Sequence, residues 1–303
     1  MDINNKIKKN ITLSPYTTFK IGGPADYFVK VKSEQELIAA ICWAQRKGID
    51  FFLLGGGSNI LVADEGFSGL VIKNDFAQFT VLECNEDLKV QVSSGLSFSK
   101  FVEKLLAKGV DIVWKFAGIP ASVGGAIFTN THGKDVFIGD FLDGARVWQR
   151  GEICSVDRDW FSFGYDYSYL QEAGGVLLTA TFSFPLSDNL EQVRESKAEW
   201  LLQRKEKFPK KPSAGCVFQN LTAEEVDELG LPTSSGGYFI DKVLELKGER
   251  RGGAKISERH ANFIVNTGGA TAEDVMALID LVKSRAKEHR VSLQLEIGLV
   301  GMD

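Results

Sequence analysis

Apolar and polar positions follow two rhythms along this chain, one of strands and one of helices. Asp26-Tyr27-Phe28-Val29-Lys30-Val31 is rich in β-branched and aromatic residues and predicts a strand. Ser33 then stands as an N-cap with Glu36 three positions later, opening a helical run through Arg46. The short apolar block Phe51-Phe52-Leu53-Leu54 predicts a buried strand that ends on glycines, and Gly69-Leu70-Val71-Ile72 predicts another. This β-α-β order indicates a small α/β domain ending near residue 78.

From residue 79 to about 185 the pattern becomes strand-rich, with Leu88-Lys89-Val90-Gln91-Val92 and the segment 175–182 as its clearest members. One helix, over 97–108, interrupts it. Residues 189–211 are helical and charged, with Glu191, Arg194, Lys197 and Lys205, and read as a solvated connector. A last unit begins at Pro212, with helices expected over 237–246 and 271–288 and a final strand over 292–300. The second of these helices starts on Thr271 with Asp274 three residues on, and Val275, Leu278, Ile279 and Val282 form its apolar face.

A chain of 303 residues exceeds one typical domain, so two or three compact units are expected. Lys and Arg number 35 against 40 Asp and Glu, a formal charge of -5 that argues against nucleic acid or an anionic membrane as partner and favours a small molecule. Cys42, Cys84, Cys154 and Cys216 show neither metal-ligand spacing nor a disulfide framework, which fits a reducing cytoplasm, and no metal site is expected. The polar start Met1-Asp2-Ile3-Asn4-Asn5-Lys6 lacks the apolar core of a signal peptide, and no run approaches the ~18 apolar residues of a membrane span. A soluble cytoplasmic protein is expected.

Two glycine-rich turns carry the chemistry. Gly55-Gly56-Gly57-Ser58-Asn59-Ile60 follows the apolar block, and Gly118-Ile119-Pro120-Ala121-Ser122-Val123-Gly124-Gly125 lies further on. Bare backbone lets a ligand approach closely and turns N–H groups toward an anion, which suits a pyrophosphate. Neither segment has the strand–GxGxxG–helix form of a nicotinamide Rossmann domain, because Gly57 leads through Ser58-Asn59 into apolar Ile60-Leu61-Val62 rather than a helix start. A dinucleotide held in some other fold is the expectation.

These turns stand in order with Tyr16-Thr17-Thr18-Phe19-Lys20-Ile21-Gly22-Gly23-Pro24-Ala25, Pro212-Ser213-Ala214-Gly215-Cys216-Val217-Phe218-Gln219-Asn220 and Gly252-Gly253-Ala254-Lys255-Ile256-Ser257-Glu258-Arg259-His260-Ala261-Asn262-Phe263-Ile264-Val265-Asn266. Together these motifs resemble the bacterial UDP-N-acetylenolpyruvoylglucosamine reductase family, in its shorter subtype, nearly end to end. The resemblance implies an α+β chain with a two-domain FAD-binding fold of the vanillyl-alcohol-oxidase type and a C-terminal α/β substrate-binding domain. Its divisions would fall at 1–78, 79–188, a connecting helix over 189–211, and 212–303, whose last strand returns to the active site. It also implies that NADPH reduces FAD, and that hydride then passes to the vinyl methylene of UDP-N-acetylglucosamine enolpyruvate, giving UDP-N-acetylmuramate for peptidoglycan synthesis. A monomer is expected.

By the same resemblance, Gly55, Gly56, Gly57, Ser58, Asn59 and Ile60, with Gly118, Ile119, Pro120, Ser122, Gly124 and Gly125, would hold FAD. Hydride arriving at the vinyl carbon leaves carbanionic charge delocalised into the neighbouring carboxylate, so the site requires cationic or hydrogen-bonding groups and an acid. Cys216 stands where the family has a proton-donating serine; a thiol is the stronger acid of the two yet stays mostly protonated at neutral pH. Glu296 matches the glutamate beside the reacting carbon, Asn220 a substrate contact, and Arg204 or Lys205 a contact to the UDP phosphates.

The flanks of Glu296 depart from the pattern, with Gln294-Leu295 and Gly298 where the family has Glu-Pro and Arg, and two further segments depart more strongly. Phe163-Gly164-Tyr165-Asp166-Tyr167-Ser168 has Asp166 where the family has an arginine for the substrate carboxylate, and an ionised Asp166 there would reverse the sign of the field. Asp166 could face solvent or pair structurally; Lys134, Arg204 or Arg251 could supply the cation; or the reaction could be lost or changed. Asn130-Thr131-His132-Gly133-Lys134-Asp135 replaces Asn-Ala-Gly-Ala-Tyr-Gly and instead resembles sugar oxidoreductases of the wider FAD superfamily, leaving His132 either near the flavin or as a hydrogen-bonded loop residue. Two alternatives follow: an FAD oxidoreductase acting on another sugar nucleotide, or a catalytically silent FAD or nucleotide-sugar binding protein.

Overall fold

Ser33 does what its position predicts. Its hydroxyl accepts the N–H of Glu36 at 3.2 Å, starting the helix Glu34–Lys47, and Gly48 ends that helix in the left-handed conformation at φ 64°. Leu37, Ala40, Ile41 and Ala44 are buried against Val29, Val31, Leu70 and Ile72. The computed structural model describes residues 3–187 and 190–302, without the side chains of 190, 191, 192 and 194. The expected helix start at Asn189 and the charged side chains of Glu191 and Arg194 therefore lie outside the described residues.

The chain divides into two compact units: Met1–Lys8, Tyr27–Gly56 and Gly69–Arg204 form one, while Lys9–Asp26, Gly57–Ser68 and Lys205–Asp303 form the other. In the first unit, strands Phe51–Leu54 and Phe67–Asn74 are parallel neighbours, Phe51 beside Leu70 and Leu54 beside Lys73. The helix Glu34–Lys47 lies between the strands Pro24–Val31 and Phe51–Leu54 in sequence, as a β-α-β unit requires.

A second sheet of the same unit has five strands in the order Glu152–Asp157, Leu142–Gln149, Val176–Pro185, Asp87–Ser93 and Phe79–Cys84. All its pairings are antiparallel. Its inner face meets the helix Phe98–Leu106 through a knot of phenylalanines, Phe98, Phe101, Phe116, Phe182 and Phe184, each fully buried. Edge-to-face and tilted ring contacts at 5.3 to 6.2 Å hold Phe101 to Phe182, Phe184 and Phe98. Val176 and Leu178 belong instead to the core of the first sheet, so one long strand contributes to both cores.

In the second unit the helix Ala272–Glu288 begins on Thr271, whose hydroxyl accepts the N–H of Asp274 at 3.0 Å while the Asp274 carboxylate takes the Thr271 N–H. Asp64, more than two hundred residues earlier, adds its carboxylate to the Ala272 and Glu273 amides at 2.9 and 3.1 Å. Val275, Leu278, Ile279 and Val282 are all buried in the core built by Phe218, Phe239 and Ile264.

Two elements differ from the pattern-based expectation. The final strand is only Gly298–Val300, parallel to Ile60–Val62, because the segment before it pairs elsewhere: Leu295 bridges Phe218 in antiparallel fashion. One continuous strand cannot serve both partners. The helix expected over 237–246 is a single turn, Gly236–Tyr238, followed by the π-helical Phe239–Val243, in which Leu244 N–H reaches Phe239 C=O at 3.0 Å.

Candidate active site

The first glycine turn leaves its strand at Leu54 and keeps its donors unspent. Among the described residues, the N–H groups of Gly55, Gly56 and Gly57 meet no protein acceptor. A Cβ on Gly55 would stand 2.4 Å from Ser122 Oγ, and one on Gly57, at φ 65°, would stand 2.2 Å from the Tyr16 carbonyl. Gly57 C=O accepts the Thr18 N–H at 2.9 Å, and Thr18 Oγ1 also donates to Ser213 C=O at 2.7 Å, so the turn is tied to the loop that leads to Cys216. Asn59 donates its side-chain amide to Glu296 C=O at 3.0 Å and accepts Gly298 N–H on its own carbonyl. Ile60 opens the short strand Ile60–Val62, in keeping with the apolar run after the turn. Ser58 lies between them.

The second turn is built differently. Ser122 caps the short helix Val123–Phe128, its hydroxyl accepting Gly125 N–H at 3.1 Å. Val123 N–H goes to Leu96 C=O and Gly124 N–H to Ser94 C=O, both at 2.8 Å. Gly124 and Gly125 therefore spend their amides on the protein. Gly118 sits at φ 80°, and Ile119 N–H returns to Phe116 C=O.

Within the first unit the two turns face one cavity of about 490 Å³, lined by Gly55 and Gly56 on one side and Pro120, Ala121 and Ser122 on another. Gly95, Leu96, Ser97, Ser99 and Lys100 close it, with Lys73, Asp75 and Ala77. Lys73 is paired with Asp75 at 2.8 Å, whereas Lys100 has no ion-pair partner among the described residues. Unspent amides, bare backbone and a lysine suit a diphosphate group. Gly95 and Lys100 gave no glycine-run or motif signal; only the sheet that sets Ser93 and Ser94 beside the strand 176–185 puts them there.

In the second unit the motif around Cys216 meets the chain's last segment. Glu296 N–H donates to Val217 C=O at 2.9 Å and Gln219 N–H to Gln294 C=O at 3.0 Å, so the backbones of Cys216 and Glu296 are one residue out of step. Cys216 is half-buried and outside any disulfide, and its backbone forms an isolated antiparallel β-bridge with Phe263. Asn262 holds this turn like a template, giving its carbonyl to Val217 N–H and its side-chain amide to both backbone groups of Phe218. Asn220 caps the next turn, accepting Gly236 N–H at 3.2 Å. Next to Asn262, burial against Phe208 and Phe263 pushes the His260 imidazole down to about 4, with Lys207 and Lys247 adding to the shift.

Asp166 does not face solvent. Its side chain is 10% exposed, Oδ1 lies 3.7 Å from His132 Nδ1, and Oδ2 is buried without a hydrogen-bond partner. Burial raises the pKa of its carboxyl, and the nearby His132 opposes that rise. The basic residues considered as substitutes are placed as follows. Lys134 lies over Trp114 at 4.4 Å and Trp200 at 5.0 Å. Arg204 stacks on Trp200 and donates weakly to Gly118 C=O at 3.4 Å, beside the second turn. Arg251 is exposed and near Glu249.

Residues 207–300 match the family described as UDP-N-acetylenolpyruvoylglucosamine reductase, C-terminal domain, and residues 25–156 match an FAD binding domain. A UDP-N-acetylenolpyruvoylglucosamine reductase of Lachnoclostridium phytofermentans is 36% identical, covering 98% of this chain and 93% of the relative. That of Chlamydia felis is 35% identical over 97% of this chain and 94% of its own. The crystal structure of the Thermus caldophilus reductase superposes with a TM-score of 0.79 at 30% identity, covering 97% of this chain and 99% of that one.

Proposed function

The chain belongs to the UDP-N-acetylenolpyruvoylglucosamine reductase family, and from that premise we propose how its own residues reduce the enolpyruvyl group of UDP-N-acetylglucosamine enolpyruvate. It is an FAD- and NADPH-dependent oxidoreductase of peptidoglycan synthesis. Bound FAD supplies the hydride, received from NADPH, to the vinyl carbon. Gly55, Gly56, Gly57, Ser58, Asn59 and Ile60, with Gly118, Ile119, Pro120 and Ser122, bind it. The open amides of Gly55 and Gly56 take the diphosphate, and Gly124 and Gly125 shape the wall behind.

Cys216 holds the proton that completes the saturated product, delivered from Sγ to the carbon beside the carboxylate. Glu296 stands next to that carbon, and Asn220 and Arg204 contact the substrate. The observation that carries this reading is the Glu296 N–H···O=C Val217 hydrogen bond, which sets the two motif segments side by side although eighty residues separate them. The division into 1–78, 79–188, a connecting helix over 189–211 and 212–303, a cytoplasmic location and a monomeric state complete the proposal. Among the described residues no helix is long and apolar enough to cross a membrane.

The test is anaerobic and has two stages. The purified protein should show a flavin spectrum that NADPH bleaches and the enolpyruvyl substrate restores. Cys216→Ala should keep the bleaching and slow the restoration by about a hundredfold or more, as expected for loss of a general acid. Full restoration in that variant rejects the thiol as proton donor, and a flavin that the substrate never reoxidises in the native protein rejects the reaction.

A further inference from the structure

FAD and NADPH share an adenosine diphosphate half and differ there by one group, the 2′-phosphate of NADPH. A protein that uses both must keep the wrong one out of its resident cofactor site. The cavity of the first unit is lined by three charged side chains, Lys73, Asp75 and Lys100, and their pairing bears on that choice.

Asp75 is held by a buried polar network. Its N–H donates to Val31 C=O at 2.9 Å, and the next amide, of Phe76, goes to Asn74 Oδ1 at 3.1 Å. Asn74 in turn donates to Ser94 Oγ at 2.9 Å and Ser93 Oγ donates to Phe76 C=O at 2.8 Å, tying this segment to the one that leads into Gly95. A Cβ on Gly95 would stand 2.6 Å from both Asn74 Oδ1 and the Phe76 carbonyl oxygen, so close packing joins the two segments as well. Lys73 Nζ donates to Asp75 Oδ1 at 2.8 Å, and among the described residues Oδ2 accepts no hydrogen bond.

Lys100 belongs to the helix Phe98–Leu106. One turn further on, Lys104 lies over the Phe79 ring at 5.3 Å, whereas Lys100 is exposed and has no ion-pair partner among the described residues. The cavity therefore offers one unspent cation and the unspent amides of Gly55 and Gly56, a set that matches a diphosphate. A 2′-phosphate adds about 1.5 to 2 negative charges and finds no further unspent cation. To meet it Lys73 would have to leave Asp75, exposing the carboxylate to a group of its own sign.

We propose that this cavity sorts the two dinucleotides by charge: Lys100 binds the diphosphate, and Asp75 accepts hydrogen bonds from the adenosine ribose hydroxyls, so that FAD is admitted and the 2′-phosphorylated half of NADPH is refused. The proposal rests on the reductase reading above. A ribose diol donates to a carboxylate, while a phosphate at the same oxygen has lost that donor and is repelled. NADPH then acts as reductant without displacing the cofactor it reduces.

The test uses the full-length protein stripped of flavin, its competence shown by recovery of the flavin spectrum when FAD is added back. FAD is titrated against ADP or against adenosine 2′-phosphate 5′-diphosphate, and filtration measures the FAD that stays with the protein. ADP should compete about tenfold better or more, the range for a lost hydrogen bond to a charged group joined to a like-charge contact. Asp75→Asn should bring the two competitors within about threefold, chiefly by improving the phosphorylated one, because Lys73 is then released as well. Lys100→Gln should weaken FAD and both competitors alike, by about five- to tenfold, and flatten the salt dependence of FAD binding.

Equal competition by the two compounds in the native protein overturns the proposal, and so does competition by neither, which would put the adenosine diphosphate half outside this cavity. A preference for ADP that Asp75→Asn leaves intact overturns the part given to Asp75. The native comparison decides even if both variants fail to fold. Failure of the reductase reading looks different, since it concerns reoxidation of the flavin by the enolpyruvyl compound, and the competition requires no such substrate.

Discussion

The two glycine turns border the same cavity and use their backbone amides in opposite ways. In the first, Gly55 and Gly56 leave their N–H groups without protein acceptors among the described residues and border the cavity, although a Cβ on Gly55 would meet the Ser122 hydroxyl. In the second, Gly124 donates to Ser94 C=O, and a Cβ there would come within 3.0 Å of Ser94 itself. Its missing side chain makes room for protein. Glycine density in a sequence therefore signals that something comes close, and only the fold says whether that is a ligand or a neighbouring strand.

The largest test of this contrast is Gly57→Ala. The backbone there is at φ 65° and the new methyl would collide with the Tyr16 carbonyl, itself part of the segment that Thr18 pins to the turn. Positive φ and a backbone clash act together, so a loss of about 3 kcal/mol or more is expected in a denaturant melt. A near-native midpoint would mean that the turn is looser than described and that its amides are not held in place for a diphosphate.

A pair of substitutions then separates ligand room from protein room. Gly56→Ala puts its methyl no closer than 3.4 Å to the backbone of Ala121, an ordinary contact, between two residues that both line the cavity. FAD affinity should fall about tenfold or more, while the melt of the flavin-free protein moves by less than about 0.5 kcal/mol. Gly124→Ala should do the reverse, costing about 1–3 kcal/mol by overpacking and leaving the affinity of the folded protein nearly unchanged. If both variants lose stability and affinity in equal proportion, the two turns have no separate roles.

What the sequence made legible follows the range of each signal. Ser33 and Thr271 cap the helices they precede, the apolar face of Val275, Leu278, Ile279 and Val282 is buried, and Ile60 begins a strand, because each depends on neighbours a few residues away. Cys216 and Glu296 were brought together by family motif, not by any local pattern. The Asp64 cap on a helix two hundred residues later, the Asn262 fork on Phe218 and the contact of His132 with Asp166 have no local signature. The final segment shows the limit most directly: its alternation is real, but it is shared between Phe218 and Ile60, and only a folded chain reveals a strand divided between partners.

The smallest effect tests whether the turns touch as described. Ser122→Ala removes the cap that holds Gly125 N–H and should cost about 1 kcal/mol. Gly55→Ala pushes a methyl to 2.4 Å from the same hydroxyl, which must swing away and give up that cap. The two changes damage one interaction. On a Ser122→Ala background, Gly55→Ala should therefore cost less than it does alone, by about 0.5–1 kcal/mol in a double-mutant cycle. Strict additivity would place the Ser122 hydroxyl out of reach of Gly55, and the shared wall of the cavity, on which the contrast between open and spent amides depends, would have to be redrawn.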